Sequence, residues 1–333
     1  MTYDIAIVGA GIAGATLAAE VAPHASVVLL EGEAAPGYHA TGRSAAFWSE
    51  TYGGTAIQPL TTASGAALQT GGYLQPLGSL HIGRAEDEPA IDAFLAAFAD
   101  SPVALRRCDP AALVPGLRPQ WVHGVWEGSC AYIDVAALHA DALATARRHG
   151  AHLLTDASLE GAARRDGVWR IDGGKAGPIA ARLIVDAAGA WADTVAQRCG
   201  VAPLGIRAYR RTIAQLRTDP PVAADVPHVA DIAGRFYFKP EAGGRLWLSP
   251  HDETATDPCD AAPEELDVAI AIDRFEQVVD WRVAAVERRW AGLRSFAPDR
   301  VPVYGHDPRV PGFFWCAGQG GFGIQTAPAA AAL

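Results

Sequence analysis

The chain has 333 residues, of which 50% are hydrophobic and 19% are charged, and its formal net charge is −10. This composition is typical of a globular enzyme, and the length predicts two domains. The acidic balance argues against nucleic acid and anionic membrane surfaces as main partners. No apolar run approaches the ~20 residues of a membrane span, and no secretory signal precedes the first predicted strand. We therefore expect a cytoplasmic protein without an integral membrane segment, while peripheral association with a membrane stays open.

The first residues have the pattern of a strand, a glycine-rich turn and a helix. Ile5–Val8 is a short apolar run, as expected of a strand buried on both faces of a parallel sheet. Gly9, Gly11 and Gly14 follow in the spacing G-x-G-x-x-G, which allows a sharp turn, close approach of a pyrophosphate and close helix packing. The helix from about Gly11 to Ala22 directs unpaired N–H groups at that pyrophosphate. The pattern predicts a dinucleotide site.

Glu31 closes a second predicted strand, Ser26–Leu30, about 20 residues after the glycine turn. A carboxylate there binds the hydroxyl pair of a ribose and repels a 2′-phosphate, so FAD or NAD is expected rather than an NADP-type ligand. The late glycine loop Gly318–Gly323 favours FAD, because a simple NAD domain does not need backbone N–H groups and a helix N-terminus at that point.

Further along the chain, helices and strands alternate. The sequence of residues 34–48 predicts a loop that leads into a helix of small residues. Small side chains would suit a backbone that runs beside a large flat ligand. The other predicted helices are Glu86–Ala99, Val135–His149, one within Asp257–Val283 and one that starts near Ala327. The predicted strands are two around Tyr73–Leu80, a hairpin-like insertion of His152–Thr155, Leu159–Arg164 and Val168–Ile171, then Arg182–Ala188, Arg210–Thr218, Arg235–Lys239, Arg245–Ser249 and Phe313–Ala317.

Side-chain periodicity predicts which faces of these elements are buried. In the strand Arg235–Lys239, alternation places Phe236 and Phe238 on one face and Tyr237 on the other. Two helices have apolar stripes, and their members are Ile91, Phe94, Leu95 and Phe98 in the first and Val268, Ile272, Phe275 and Val279 in the second.

Metal binding is not predicted. The cysteines are far apart, without a C-x-x-C pair, and are expected to be reduced thiols: Cys108, Cys130, Cys199, Cys259 and Cys316. The histidines are equally scattered, and Gly150 separates the neighbouring pair His149 and His152.

Four segments together carry a family resemblance, namely GYHATGRSAA, VDAAGAWAD, WAGLRSF and GQGGFGIQT. With the N-terminal glycine turn, they resemble the D-amino-acid oxidase superfamily of FAD enzymes, and most closely the soluble bacterial D-amino-acid dehydrogenases of the D-arginine dehydrogenase type. The resemblance runs from residue 3 to the end of the chain. It implies an α/β fold, with a Rossmann-like doubly wound FAD domain and a second domain built on an antiparallel sheet. The implied boundaries are 1–78, 131–205 and 290–333 for the FAD domain, and 79–130 and 206–289 for the substrate domain.

The resemblance also implies which residues contact FAD. The late glycine loop would face the pyrimidine end of the flavin, and backbone near Leu159 would contact the adenine. Non-covalent FAD is expected, because WAGLRSF has no cysteine and Phe47 stands where some relatives have histidine. The implied cofactor-binding residues are Gly9, Gly11, Ile12, Ala13, Gly14, Glu31, Thr41, Gly42, Arg43, Ser44, Ala45, Ala46, Leu159, Ala188, Gly189, Trp191, Gly292, Arg294, Gly320, Gly321, Phe322, Gly323, Ile324 and Gln325.

The implied reaction is oxidation of an α-amino acid to an imino acid, which water converts to a keto acid and ammonia. A bidentate guanidinium is the best clamp for the substrate carboxylate, so Arg294 is the first candidate and Arg211 the second. Tyr52 and Tyr237 match phenols that surround the substrate in this family, and Gln325 is a candidate to receive the amine. The electron acceptor, whether a quinone, another carrier or O2, stays open.

The chain departs from its cationic-substrate relatives at two places. Those relatives have an acid in the segment that corresponds to Leu77–His81, where this chain has none, and Phe47 replaces a polar residue. We therefore expect a neutral substrate, apolar or aromatic. Oxidation of glycine or an N-alkyl amino acid, or of a 2-hydroxy acid, stays open.

Overall fold

The fold is that of a computed structural model, which describes residues 2–333. The helices are α1 Ile12–Val21, α2 Gln58–Thr70, α3 Glu88–Ala97, α4 Val135–Arg148, α5 Ala192–Arg198, α6 Glu265–Glu276 and α7 Gly323–Ala331. The strands are β1 Tyr3–Val8, β2 Val27–Leu30, β3 Phe47–Trp48, β4 Leu74–Pro76, β5 Ser79–Arg84, β6 Leu105–Cys108, β7 Trp121–Glu127, β8 Ala131–Ile133, β9 His152–Leu154, β10 Gly161–Arg165, β11 Val168–Asp172, β12 Pro178–Asp186, β13 Arg207–Asp219, β14 His228–Asp231, β15 Tyr237–Glu241, β16 Arg245–Ser249, β17 Thr254–Thr256, β18 Arg282–Phe296, β19 Val303–His306, β20 Phe313–Ala317 and β21 Gln319–Gly320.

The first sheet is built around the N-terminal strand. β1 lies between β2 and β12, β9 extends the sheet beyond β2, and β20 pairs with the second half of β12, all in parallel. The hairpin β10–β11 and strand β19 add antiparallel pairs. Ile7, Leu29 and Ile184 are buried here, as expected of parallel strands covered on both faces. The carboxyl ends of the parallel strands meet at one edge, where ligands of such sheets bind.

Helices α1 and α4 pack together on one face of this sheet, and α5 packs on the other. The contact between α1 and α4 uses small side chains such as Ala18 and Ala142. A Cβ on Gly14 would lie 1.9 Å from the carbonyl oxygen of Gly9. Only glycine therefore allows α1 to pack this closely against the turn after β1, as the glycine spacing predicts.

The second sheet is largely antiparallel and uses the middle of the chain. Its order is β21-β18-β13-β16-β15-β14-β5-β7-β6, with β17 beside β13 and with β14 and β5 in parallel. Helix α6 covers one face, where Val268 and Phe275 pack with Phe236 and Phe238. The other face carries Tyr237, which lines a cavity shared with the first sheet. A small third sheet has the order β3-β8-β4. The predicted mixed α/β fold and the predicted alternation in β15 are therefore confirmed.

Two predicted elements are wrong. No helix follows Glu31, since residues 32–46 form turns that lead into β3. Gly37 has a φ of 78° and its carbonyl accepts the N–H of Gly42 at 2.8 Å, so the glycines of this segment close a tight turn instead of starting a helix. The segment His152–Leu154 belongs to no hairpin, because it joins the first sheet in parallel with β2.

Helix lengths also differ from the prediction. α6 lies within Asp257–Val283 as predicted but ends at Glu276, before Val279 of the predicted stripe, and α7 begins at Gly323 instead of near Ala327. Helix α2 was not predicted, because its sequence has no continuous apolar stripe. It is held by tertiary contact with α7, where Ser64 Oγ accepts the N–H of Ala329 at 3.1 Å.

The predicted domain boundaries follow the two sheets in outline. The boundary at residue 290 falls inside β18, which stays in the second sheet from Arg282 to Phe296. The division into domains therefore stays a prediction. Among residues 2–333, the longest helix has 14 residues, and no helix is long and apolar enough to cross a membrane.

Candidate active site

A cavity of about 470 Å³ lies where the carboxyl edge of the first sheet meets the second sheet. We call one portion the first-sheet part, because the loops after β1, β2, β9 and β12 line it. The second-sheet part is lined by β13, β15 and β18, by the loop after β20, and by Phe47 and Tyr52. The cavity therefore connects the predicted dinucleotide turn with the predicted substrate residues.

The turn after β1 brings unpaired donors to the first-sheet part. Gly9 has a φ of 99°, and a Cβ there would lie 2.5 Å from the carbonyl oxygen of Ala187. Thr41 Oγ1 accepts the N–H of Ile12 at 2.9 Å. Among residues 2–333, the N–H groups of Gly11 and Ala13 have no acceptor. These donors stand at the positive end of α1, which makes the turn a site for a phosphate group.

Glu31 lies directly after β2 in the same part of the cavity. Its carboxylate accepts the N–H of Ala10 at 2.9 Å and the N–H of Glu33 at 3.0 Å. The two bonds fix the carboxylate but leave lone pairs on both oxygens. This arrangement fits the predicted bond to a ribose hydroxyl pair.

Arg43 ties the loop after β2 to the second sheet. Its Nη1 donates to the carbonyl oxygens of Ala261 at 2.9 Å and Ala291 at 3.2 Å, and its Nη2 pairs with Asp260. The Trp290 indole N–H donates to the Arg43 carbonyl at 3.1 Å. The Arg43 guanidinium is therefore used within the protein, although the residue borders the cavity.

The loop after β20 returns to the second-sheet part and begins α7. A Cβ on Gly321 would lie 2.4 Å from the Tyr52 hydroxyl and 3.0 Å from the guanidinium carbon of Arg294. Among residues 2–333, the N–H groups of Gly323 and Ile324 have no acceptor. The N-terminus of α7 therefore favours negative charge at this point of the cavity.

Arg294 lies in β18 on the wall of the second-sheet part. Its guanidinium carbon is 5.5 Å from the ring centroid of Tyr52. With respect to residues 2–333, the guanidinium forms neither an ion pair nor a side-chain hydrogen bond. A partly buried cation that faces a cavity without a protein partner is a site for a carboxylate.

Arg211 stands beside Arg294 but has protein partners. Its Nε donates to the carbonyl oxygen of Asp252 at 2.8 Å, and its Nη2 to Glu253 at 3.4 Å. Its Nη1 is buried and has no partner. Burial lowers the pKa of Arg211, and the neighbouring Arg294 lowers it further. Gly292 lies opposite Arg211 in β18 and adds no side chain to this wall.

Two phenols border the same space. The hydroxyls of Tyr52 and Tyr237 are buried and have no hydrogen-bond partner in the described structure. Burial raises the pKa of Tyr52, although Arg294 and Arg211 oppose the rise, so the phenol is a neutral donor at pH 7. His228 and His251 pack on Tyr237 at ring-centroid distances of 5.7 and 5.8 Å. Burial lowers the pKa of each imidazole to about 3, so both are neutral.

Phe47 gives the second-sheet part an apolar wall. Its ring centroid lies 5.2 Å from that of Tyr52 and 5.9 Å from that of Tyr237. Ile213 belongs to the same cluster and also lines the cavity, although it was not predicted as a site residue. Strand alternation contained the signal, because Ile213 is two residues after Arg211 and therefore on the same face.

The side-chain amide of Gln325 forms hydrogen bonds to the backbone at Tyr52 and to neighbouring residues. Its Nε2 donates to the Tyr52 carbonyl at 2.9 Å and to Thr61 Oγ1 at 2.8 Å, and its Oε1 accepts the N–H of Ser49 at 3.4 Å. The amide is thus occupied by structural hydrogen bonds. Its predicted contact with a substrate amine stays a prediction.

Most of the predicted residues line this one cavity. Those that do are Gly9, Gly11, Ile12, Ala13, Glu31, Thr41, Arg43, Ser44, Ala45, Tyr52, Leu159, Ala188, Gly189, Trp191, Arg211, Tyr237, Gly292, Arg294, Gly320, Gly321, Gly323, Ile324 and Gln325. Those outside its lining are Gly14, Gly42, Ala46 and Phe322. Two of these four contact residues that line it: Gly14 packs against the Gly9 carbonyl, and the Phe322 ring packs on Tyr52 with centroids 5.2 Å apart.

Acidic side chains are distributed unevenly in the cavity. Glu31, Glu33 and Glu160 are its carboxylates, and they belong to the first-sheet part. Within residues 2–333, no carboxylate side chain lines the second-sheet part. Nor do three His, Cys, Asp or Glu side chains of this range come close enough to hold a metal ion. Among the described residues, the second-sheet part therefore has the positive charges of Arg211 and Arg294 and no carboxylate in its lining.

The chain is similar to known FAD enzymes. The family described as "DAO: FAD dependent oxidoreductase" matches residues 4–333. Hydrogen cyanide synthase subunit HcnC of Pseudomonas aeruginosa is 26% identical over 227 residues, which are 67% of this chain and 51% of HcnC. The chain thus spans about half the length of this curated relative.

Solved structures share the fold. L-proline dehydrogenase from P. horikoshii has a TM-score of 0.87 and 20% identity, with 99% of this chain and 91% of that chain covered. Glycine oxidase from Geobacillus kaustophilus has a TM-score of 0.84 and 23% identity, with 100% and 93% covered.

The fold and the cavity define a dinucleotide-binding oxidoreductase. The chain belongs to the DAO family of FAD-dependent oxidoreductases, because the family match covers nearly its whole length. The residues fit this cofactor: unpaired N–H groups at the start of α1 suit the pyrophosphate, Glu31 suits the ribose, and the N-terminus of α7 suits the electron-rich end of a flavin.

Proposed function

We propose that this enzyme oxidises a neutral D-amino acid, with an apolar or aromatic side chain, to the imino acid, which water hydrolyses to a keto acid and ammonia. The observation that carries the proposal is the Arg294 guanidinium, which faces the second-sheet part without a protein partner. A guanidinium fork binds a carboxylate in two places and so fixes the orientation of Cα. Bound FAD would accept the two electrons and the hydrogen that leave the substrate Cα.

The neighbouring polar groups support binding of an amino acid that has a carboxylate and an uncharged amine. Arg211 has one buried N–H without a partner, and Tyr52 and Tyr237 have free hydroxyls. These groups are hydrogen-bond donors for a substrate carboxylate. Because no described carboxylate side chain lines this part, the protein offers no counter-ion for an ammonium group. The site thus favours the neutral amine, which is the form that can give up electrons.

The side-chain specificity is inferred from the wall formed by Phe47, Ile213 and Tyr237. Apolar and aromatic surfaces bind a neutral side chain and leave a charged one without a partner. Preference for the D enantiomer rests on the sequence resemblance. The fold shared with glycine oxidase favours a second candidate, oxidation of glycine or an N-alkyl amino acid, since the same carboxylate clamp serves both.

Anaerobic rapid mixing tests these proposals. Purified, FAD-loaded enzyme is mixed with matched D- and L-forms of alanine, phenylalanine and arginine, with glycine and sarcosine, and with D- and L-lactate, while loss of flavin absorbance is followed. We expect D-phenylalanine or D-alanine to reduce the flavin at least about tenfold faster than the L-form and than D-arginine. Reduction by glycine or sarcosine alone would support the second candidate. Reduction by lactate but by no amine would overturn both.

A further inference from the structure

We propose that Glu127, which does not line the cavity, is a positioning residue for Tyr52. Glu127 ends β7 in the second sheet and its side chain is fully buried. Tyr52 belongs to the loop between β3 and α2 and borders the cavity. The inference rests on the proposed function only in assigning Tyr52 to the substrate; the structural link between the two residues is independent of the reaction.

Glu127 binds the three residues that directly precede Tyr52. Its Oε2 accepts Ser49 Oγ at 2.9 Å and Thr51 Oγ1 at 2.6 Å. Its Oε1 accepts the backbone N–H of Glu50 at 2.7 Å. One side chain of the second sheet thus holds three consecutive residues of a loop that belongs to no strand of that sheet.

The carboxylate stays charged in spite of its burial. Burial by itself raises the pKa of Glu127, but His81, Thr51 and Ser49 outweigh it and hold the pKa below its usual value. His81 Nε2 lies 3.6 Å from Oε2. A buried anion binds its donors more strongly than a neutral acceptor does, so this loop is held by charge-assisted hydrogen bonds.

Tyr52 depends on its backbone for its position. Its hydroxyl is buried and has no hydrogen-bond partner in the described structure, so no hydrogen bond of the phenol fixes the ring. The ring packs between Phe47 and Phe322, with centroids 5.2 Å from each. Gln325 binds the Tyr52 carbonyl from the opposite side at 2.9 Å. Loss of Glu127 would remove three hydrogen bonds to residues 49–51 while the Gln325 bond to Tyr52 remains, and we expect it to shift Tyr52.

A direct test uses 19F NMR of the FAD-loaded enzyme labelled with 3-fluorotyrosine. The chain has 8 tyrosines, and the Tyr52 resonance is the one that Tyr52→Phe removes. We expect Glu127→Ala to shift or broaden this resonance. Glu127→Gln should leave it close to that of the unaltered enzyme, because the amide oxygen still accepts the Glu50 N–H and the amide NH2 donates to the hydroxyl oxygens.

Asp307 provides a matched control. It is also a buried carboxylate, and it accepts the N–H groups of Arg309 and Val310 at 2.9 Å each and the Trp315 indole at 3.3 Å. None of these residues lines the cavity. Asp307→Ala should lower the thermal midpoint while leaving the Tyr52 resonance in place, which separates positioning from general stability.

A kinetic cycle tests the same link through the reaction. Glu127→Ala should slow flavin reduction at least about tenfold when Tyr52 is present, and by less than about threefold in the Tyr52→Phe background, since coupled residues are non-additive. Equal losses in the two backgrounds, or an unmoved Tyr52 resonance in Glu127→Ala, would overturn the proposal. If no amino acid reduces the flavin, the proposed function fails, and the NMR result still decides the role of Glu127.

A gentler variant covers the case in which Glu127→Ala does not fold. Thr51→Val keeps the shape of the side chain and removes the 2.6 Å bond to Glu127 from the loop side. We expect the Tyr52 resonance to shift in the same direction by a smaller amount. No shift in Thr51→Val, with FAD content unchanged, would count against the proposal.

Discussion

Arg294 and Arg211 differ in their partners although they share one wall of the cavity. Arg211 is anchored by Asp252 and Glu253, whereas Arg294 has no protein partner among the described residues. The anchored guanidinium has a fixed position, and the free one can turn its fork to a ligand. We therefore propose Arg294 for the main carboxylate contact, with Arg211 as a fixed second donor.

Replacing Arg294 tests that assignment. Arg294→Ala should weaken substrate binding by about 2–5 kcal/mol and slow flavin reduction further, because the fork that orients Cα is lost. Arg294→Lys should recover only part of the rate, since an ammonium restores charge without planar geometry. The measurements are the reduction rate at saturation and the substrate Kd, obtained by rapid mixing.

A control for this prediction lies on the same strand. Arg289 is in β18 and pairs at the surface with Glu265 at 3.3 Å. Arg289→Ala should therefore keep a near-normal reduction rate. The same near-normal rate in Arg294→Ala, together with a lower thermal midpoint, would show that Arg294 only supports the sheet.

The buried imidazole of His228 should make the folded protein less stable at acid pH. Burial lowers its pKa from 6.5 to about 3, so the unfolded chain takes up a proton below pH 6.5 that the folded chain refuses. The free energy of unfolding should therefore fall as the pH drops from 6.5 towards 3, by at most about 1.4 kcal/mol per pH unit for one histidine. Denaturant unfolding at pH 7, 6, 5 and 4 should show a shallower loss for His228→Asn. His24→Asn is the control, because His24 is exposed. An equal dependence of the unfolding free energy on pH in His228→Asn and His24→Asn would contradict the prediction.

The turn between β1 and α1 must allow close packing of α1 and must also leave N–H groups free for a ligand. Gly9 and Gly14 are glycines for packing reasons, because a Cβ on either would clash with backbone. The same close packing leaves the N–H groups of Gly11 and Ala13 at the edge of the sheet without acceptors. A change in the packing of α1 should therefore also weaken phosphate binding.

Gly14→Ala tests this coupling. The new Cβ would lie 1.9 Å from the Gly9 carbonyl oxygen, so α1 must move away from the turn. We expect a loss of about 1–3 kcal/mol in the free energy of unfolding and weaker FAD retention. Gly161→Ala is the matched control, because a Cβ there meets nothing within 4 Å, and it should be close to neutral. Full FAD retention in Gly14→Ala would contradict the link between packing and binding.

The candidate active site lies where the two sheets of the molecule meet. The first sheet supplies the dinucleotide turn and Glu31, and the second supplies Arg211, Tyr237 and Arg294. Segments that belong to neither sheet core, such as the loop held by Arg43, connect the two. A ligand that contacts both parts should therefore stabilise the molecule as a unit.

The removal of FAD tests this expectation and the proposed non-covalent attachment. No cysteine of residues 2–333 lines the cavity, and acid precipitation should release all of the yellow colour. Colour in the pellet would mean a covalent link. The protein without FAD should unfold at a lower temperature, and FAD at 100 times its Kd should restore about 2.7 kcal/mol. An unchanged thermal midpoint would mean that FAD does not bind the folded protein in preference to the unfolded chain.

Features that depend on local pattern could be predicted from the amino-acid sequence. The glycine spacing, the apolar strand Ile5–Val8 and Glu31 predict the dinucleotide site, because each constraint acts between near neighbours in the chain, and Gly9, Gly11 and Glu31 line the first-sheet part of the cavity. Alternation in β15 placed Phe238 in the core and Tyr237 on the opposite face. The family resemblance added Arg294 and Tyr52, which no local pattern would have selected.

Contacts between segments that are distant in the chain could not be predicted in this way, because they depend on how the chain folds. Glu127 has no sequence signal, because its hydrogen-bond partners in the loop before Tyr52 are residues 49–51, which lie more than 70 positions away in the chain. Helix α2 has no apolar stripe and forms because α7 packs on it. The early start of α7 and the parallel pairing of β9 likewise depend on neighbours brought together by folding. Burial, which lowers the pKa of His228 and leaves Arg211 with an unpaired N–H, is a property of the packed molecule and not of the local sequence.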